Sequence, residues 1–311
     1  MNALQVTIVG GTGFVGRHLA DRLLRAGHRL TLVARHAPAS SAVSRPGLRY
    51  LRGDVLEPGS LDGCMQATDA VINLVGAVSQ PSTQAYFALH EQGARRVAET
   101  AAAAGASRLI HVSALGIGDD APSAADRSKA AGERAVRAVF PSAVILRPSL
   151  IFGEDDHLLR QIAAMSRRSP VIPLIGAATR FQPVHVDDLT DGVLRILGRG
   201  DTAPIYQVAG MRVYSLQQLV QALLEALGRR RLVLPLPDAA ALPLSRVLGL
   251  LPHAPFTREQ VLLMMTDKVA APGLPGLEEL GIQPRLLSDW LAAPGGRYGS
   301  DPAAGRAARK A

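Results

Sequence analysis

Short apolar runs at residues 5–9, 29–33, 48–52, 70–74, 108–112 and 143–146 read as buried strands. Between them, residues 14–26, 60–66, 84–104 and 124–139 repeat apolar side chains at helical spacing. Alternation of this kind predicts a parallel sheet with helices on both faces, a doubly wound α/β fold. After Pro148 the rhythm changes. Helical stretches at 156–166, 187–197 and 216–227 are separated by proline- and glycine-rich turns, and a short strand at 205–208 is expected to return to the main sheet. The division expected is a first domain over 1–150, joined in part by 184–228, a smaller interleaved lobe over 151–292, and a mobile tail over 293–311.

Composition narrows the setting. Hydrophobic residues at 48% against 19% charged exclude a disordered chain. Cys64 is the sole cysteine, which excludes an internal disulfide framework and fits a reducing compartment. The N-terminus runs straight into a strand without the basic and then apolar pattern of a secretory signal. The longest apolar stretch, 232–252, is broken by prolines, Asp238 and Arg246, so it does not span a bilayer. A cytoplasmic protein is expected, peripheral at most to the inner face of the cell membrane. With Arg229, Arg230 and Arg231 ahead of it, that stretch suits either an anionic membrane surface or protein partner, or the lobe's own core and linker. The net charge of +8 is carried almost wholly by arginine, the lysines being Lys129, Lys268 and Lys310. These arginines are scattered, and 4% aromatic content is too little for base-stacking platforms, so no specific nucleic-acid partner is expected. No metal site is expected either.

The chemistry lies at the strand ends. Val6-Thr7-Ile8-Val9-Gly10-Gly11-Thr12-Gly13-Phe14-Val15-Gly16 carries three spaced glycines between a strand and a helix, the context of a dinucleotide-binding turn in a Rossmann-like fold. Gly10 permits the tight turn, Gly13 lets backbone approach a pyrophosphate, and Gly16 allows close packing. The helix N-terminus at Phe14 and Val15 then offers free N–H groups to the phosphates. The second strand ends on Arg35, where an acid would favour NAD(H) and an arginine accommodates a 2′-phosphate; NADP(H) is therefore favoured. Asp54 and Val55 end the third strand, where they suit an adenine or a plain turn. Leu74, Val75 and Gly76 end the fourth, beside the expected nicotinamide ribose. Ser113 ends the fifth and places a hydroxyl near the nicotinamide, while its neighbour His111 reads as structural. Lys129, on the following helix, suits ribose hydroxyls, with a solvated surface lysine as the alternative.

Those motifs, with Ser128-Lys129-Ala130-Ala131-Gly132-Glu133 and Arg147-Pro148-Ser149-Leu150-Ile151-Phe152-Gly153, resemble an extended or atypical short-chain dehydrogenase/reductase over residues 4 to 290. Arg180-Phe181-Gln182-Pro183-Val184-His185-Val186-Asp187-Asp188-Leu189 and Phe256-Thr257-Arg258-Glu259-Gln260-Val261 resemble the nucleotide-binding accessory subunit of respiratory complex I and its bacterial relatives. The resemblance implies bound NADPH, a largely structural role, and for some relatives a link to ubiquinone synthesis. One departure governs the function. Reductases of the superfamily use a tyrosine four residues before the lysine as general acid/base, and this chain has Ala125 there. Tyr86 is the tyrosine expected nearest the cofactor, and His90 stands where relatives place an asparagine that organises a proton relay. Two functions follow: a structural or sensing binder of NADP(H), with Ser113 and Lys129 as remnants of a catalytic set, or an NADP-dependent oxidoreductase or isomerase acting on an apolar molecule such as a quinone or isoprenoid.

Overall fold

A computed structural model describes residues 3–36, 45–200, 202–237, 243, 258–293 and 298. The strands are β1 (Gln5–Val9), β2 (Arg29–Ala34), β3 (Leu48–Arg52), β4 (Ala70–Asn73), β5 (Arg108–Val112), β6 (Val144–Pro148), β7 (Ile151–Phe152), β8 (Val171–Leu174), β9 (Arg180–Phe181), β10 (Val184–His185), β11 (Ile205–Val208), β12 (Tyr214–Ser215) and β13 (Leu232–Pro235). The helices are α1 (Phe14–Arg25), α2 (Thr83–Phe87), α3 (Gly93–Ala103), α4 (Ala124–Val139), α5 (Leu158–Arg168), α6 (Val186–Gly198), α7 (Leu216–Ala226), α8 (Arg258–Met264) and α9 (Leu287–Ala292). A π-helical turn, Ala88–Gln92, joins α2 to α3.

Seven strands pair in parallel in the order β11-β6-β5-β4-β1-β2-β3. Strand order reverses between β1 and β4, and that switch point opens a crevice at the carboxyl ends of the strands. The sheet is covered on both faces, which is why β4 is buried at every position and reads as an unbroken apolar run. Leu19 and Leu23 of α1, with Leu189 and Val193 of α6, fill one face. Val97 and Ala101 of α3, with Val136 of α4, fill the other. A third core, of Leu159, Ile162, Leu216, Leu219 and Leu223, holds α5 and α7 together in the C-terminal lobe.

Three places differ from the sequence reading. Residues 60–66 form turns rather than a helix, because Gly59 and Gly63 take positive φ (both 76°) and Ala67 follows at 53°. Tyr298, in the tail expected to be mobile, is anchored. It is 5% exposed, with its hydroxyl against the Asp156 carboxylate and 3.1 Å from the Gly153 carbonyl; residues 294–297 and 299–311 lie outside the described residues. Of 232–252, residues 238–242 and 244–252 also lie outside them. Where described, β13 pairs in parallel with β8 and leaves Leu232 and Leu234 exposed. Arg229 donates to the Ala163 carbonyl (2.8 Å) and Arg231 to the Ser166 carbonyl (2.7 Å), so both cap the C-terminal end of α5. Among the described residues no helix is long and apolar enough to cross a membrane, and no cluster of His, Cys, Asp or Glu could hold a metal.

Candidate functional site

Gly10 leaves β1 at φ 82°, where a Cβ would lie 3.2 Å from the Leu74 backbone at the end of β4. The chain therefore turns within the switch-point crevice itself. Gly13 is the N-cap of α1 and supplies no side chain, so the first-turn N–H groups of Phe14, Val15 and Gly16 remain open to an anion. Gly16 sits so close to the turn that a Cβ would come within 2.5 Å of the Gly11 carbonyl. The Thr12 carbonyl accepts from Arg17 Nη1 (2.9 Å), which ties the turn to the helix it opens.

Toward β3, Gly10 N–H donates to the Val33 carbonyl (2.9 Å), which brings the end of β2 alongside the turn. Arg35 follows β2, exposed and without an ion pair among the described residues. Asp54 Oδ1 accepts from the Leu56 amide (2.9 Å), and Val55 is buried at 4% against Gly93 of α3, so the carboxylate is the more accessible of the two.

Toward β5, the partly exposed Leu74 and Val75 and the exposed Gly76 line the crevice. The Asn73 side chain accepts from the Val75 amide through Oδ1 (3.0 Å) and donates through Nδ2 to His111 Nδ1 (3.1 Å), which places the His111 proton on Nε2. His111 is thus a bonded structural histidine. Ser113 is 5% exposed, its amide bonded to the Leu146 carbonyl, while its Oγ has no hydrogen-bond partner. A buried hydroxyl left unpaired is able to bond a water or a ligand atom.

His90, on the π-helical turn, is fully committed. Ala77 N–H donates to its Nε2 (3.2 Å), so Nδ1 carries the proton and donates to Ser128 Oγ (2.8 Å), which donates to the Ala125 carbonyl (2.9 Å). Burial, then the nearby Lys129 charge, lowers the pKa of His90 to about 3 and that of His111 to about 4. Both stay neutral in the folded chain but take up protons when unfolded below their ordinary pKa of about 6.5. Stability is therefore whole above pH ~6.5 and falls as pH drops toward the folded values, by up to about 1.4 kcal/mol per pH unit for each histidine. Urea unfolding at pH 7 and pH 5 measures this, and a His90→Gln variant should show the shallower dependence. Equal stability at both pH values would contradict it.

Ala125 is 1% exposed and packs with Tyr86 and Ala124. The Tyr86 hydroxyl donates to the Val78 carbonyl (3.1 Å), and burial raises its pKa. The nearest tyrosine thus fills space beside position 125 with its proton already placed. Lys129, one turn on along α4, is half-buried and makes no hydrogen bond or ion pair with any described residue. Burial lowers its pKa; Asp126 opposes that shift and Lys268 adds to it.

Two residues outside the expected site set pair here. Asp126, 1% exposed, is bonded through Oδ1 to Lys268 Nζ at 2.7 Å, while its Oδ2 has no partner. Lys268 comes from the C-terminal lobe, its amide bonded to the Arg180 carbonyl and its carbonyl accepting from Ser149 Oγ (2.6 Å). From the same lobe, Glu259 Oε2 accepts from the Ala124 amide (2.7 Å), completing the start of α4.

A family model described as the NAD dependent epimerase/dehydratase family matches residues 6–209. The chain belongs to that family. It is an NAD(P)-binding family of the extended short-chain dehydrogenase/reductase type. Over 298 residues the chain is 31% identical to the Rattus norvegicus protein named NADH dehydrogenase [ubiquinone] 1 alpha subcomplex subunit 9, mitochondrial, covering 92% of this chain and 78% of the relative. It is 30% identical over 239 residues to a ceramide reductase of Caulobacter vibrioides, covering 76% and 75%. Among solved structures, a nucleoside-diphosphate-sugar epimerase from Staphylococcus aureus superposes with a TM-score of 0.72 at 16% identity, over 93% of this chain and all of that one (100%). The Bordetella bronchiseptica enzyme WbmG in complex with NAD gives 0.65 at 20% identity, over 76% and 83%. At these identities the two structures establish the fold.

Proposed function

We propose that the chain holds NADP(H) at the β1–β4 switch point as a structural or sensing ligand, without ordinary carbonyl–alcohol turnover. The cradle suits a dinucleotide: an uncapped helix N-terminus, a turn with no room for a Cβ at Gly16, and an unpaired Ser113 hydroxyl. What carries the reading is position 125. The position that the resemblance gives to the general acid/base holds an alanine, and the tyrosine packed beside it donates to the Val78 backbone. Lacking that group, reduction loses roughly two to four orders of magnitude in rate. The rat relative's name supports a setting near respiratory complex I or ubiquinone metabolism, with a protein partner. The test is to titrate purified protein with NADPH and then add a quinone or carbonyl compound. Binding without oxidation is expected, and rapid oxidation overturns the reading.

Arg35 supports NADP(H) over NAD(H), being an exposed cation at the end of β2 with no acid adjacent to it in the sequence. Arg35→Ala is expected to weaken NADPH about tenfold by removing a charge-assisted contact to the 2′-phosphate, with NADH nearly unchanged. Fluorescence titration of both nucleotides measures this; equal losses for the two would reassign Arg35 to the turn's structure.

A second reading rests on the unpaired Ser113 hydroxyl, the unengaged Lys129 and the ceramide reductase relative: an NADP-dependent reductase or isomerase of an apolar molecule, such as a quinone or isoprenoid. Under it, Ser113→Ala and Lys129→Ala abolish a measurable turnover. Turnover that survives both removes this site assignment.

A further inference from the structure

We infer that Lys268 is a positioning residue for the nucleotide: by occupying Asp126 it keeps Lys129 free to hold the ligand. This rests on the nucleotide-binding reading above and concerns how the C-terminal lobe serves that site.

Asp126 and Lys129 lie three residues apart on α4, so their side chains share one helix face. Asp126 is almost wholly buried, and a buried carboxylate without a cation is strongly unfavourable. Among the described residues, two lysines can serve it: Lys268, which reaches it from the C-terminal lobe, and Lys129, on the same face of α4. Lys268 makes the bond, at 2.7 Å, and Lys129 makes none among the described residues. The backbone fixes that outcome. The Lys268 carbonyl accepts from Ser149 Oγ and the Gln182 amide, and its own amide donates to Arg180. The stem passes Gly116, where a Cβ would lie 3.2 Å from Lys268 Cδ and 2.2 Å from the Asp267 carbonyl. Lys268 is thus delivered by a braced segment, whereas Lys129 has a flexible stem and no bond to hold it.

Without Lys268, the Asp126 carboxylate has both oxygens unpaired among the described residues, where the remaining lysine is Lys129 on the same helix face. Lys129 then turns along its own helix to Asp126 and leaves the ribose. Loss of a cation 139 positions along the chain therefore weakens nucleotide binding through electrostatic capture.

A binding cycle tests this. NADPH affinity is measured by fluorescence titration for the wild type, Lys268→Met and the double variant Asp126→Asn/Lys268→Met, each with its urea midpoint. The expected result is about a tenfold loss for Lys268→Met, a capture energy of about 1.4 kcal/mol. Recovery to within about twofold of wild type is expected for the double variant, because an amide no longer captures Lys129. Lys268→Arg should bind like the wild type. A merely structural Lys268 predicts the reverse pattern, with the double variant as weak as the single one or weaker, and that result overturns the inference. Unchanged binding in Lys268→Met overturns it too. Failure of the wild type to bind NADPH at all is distinguishable from both and removes the nucleotide reading itself.

Discussion

Lys129→Met is expected to raise the stability of the free protein while lowering its affinity for NADPH. The two signs share one cause. The Lys129 ammonium is drawn from water into the crevice, where burial depresses its pKa, and no hydrogen bond to a described residue compensates it. A methionine of similar length removes that cost, and the unfolding free energy should rise by about 1 kcal/mol, read as a higher urea midpoint, as when a strained functional residue is relieved. The same change removes charge-assisted bonds to ribose hydroxyls of the ligand, each worth about 1.5–3 kcal/mol, so affinity should fall about 10- to 100-fold. Equilibrium unfolding without ligand and fluorescence titration with NADPH read the two effects separately. A fall in both would make Lys129 an ordinary structural residue.

Gly132→Ala is expected to destabilise the protein by about 3 kcal/mol, although alanine is the better helix former by about 1 kcal/mol. A Cβ at position 132 would lie 2.1 Å from the His90 carbonyl oxygen and 3.1 Å from its carbon. The obstacle is backbone, so relief requires α4 to move away from the π-helical turn. That movement also pulls Ser128 from His90 and shifts Lys129, so NADPH affinity should fall along with stability. A urea midpoint equal to wild type would mean that α4 and the turn do not pack as described.

Much of this was legible in the chain because it depends on local pattern. Short β-type runs between helical stretches mark the strands of the main sheet, and β1, β3, β5 and β11 match the expected bounds. The glycine turn was readable because Gly10 and Gly16 answer to backbone constraints, a positive φ and a missing Cβ, which only glycine meets. The helix expected at 60–66 failed for the same physics: Gly63 sits mid-segment at positive φ. The six short strands from β7 to β13 other than β11 were not foreseen, since two- to four-residue pairings carry no periodicity.

At the site, the glycine turn was legible in the chain and the contacts made by the lobe were not. Asp126 lies in the first turn of α4, and its partner Lys268 lies 142 residues away. Pairing over that distance is set by tertiary packing. One signal was present: in a chain whose basic residues are nearly all arginine, Lys129 and Lys268 stand apart, and Lys268 pairs with Asp126, three residues before Lys129 on α4. Tyr86 was expected near the cofactor on sequence order; its bond to the Val78 carbonyl, which removes it as an acid, depends on the loop after β4.

The central claim is that the crevice binds NADP(H) and does not use it for carbonyl reduction. Its most direct test follows the absorbance and fluorescence of NADPH bound to the purified protein, before and after addition of a quinone and of a carbonyl compound. Saturable binding, tighter than for NADH, followed by no oxidation above the rate in buffer, is the predicted result. Rapid oxidation of the bound NADPH would contradict it.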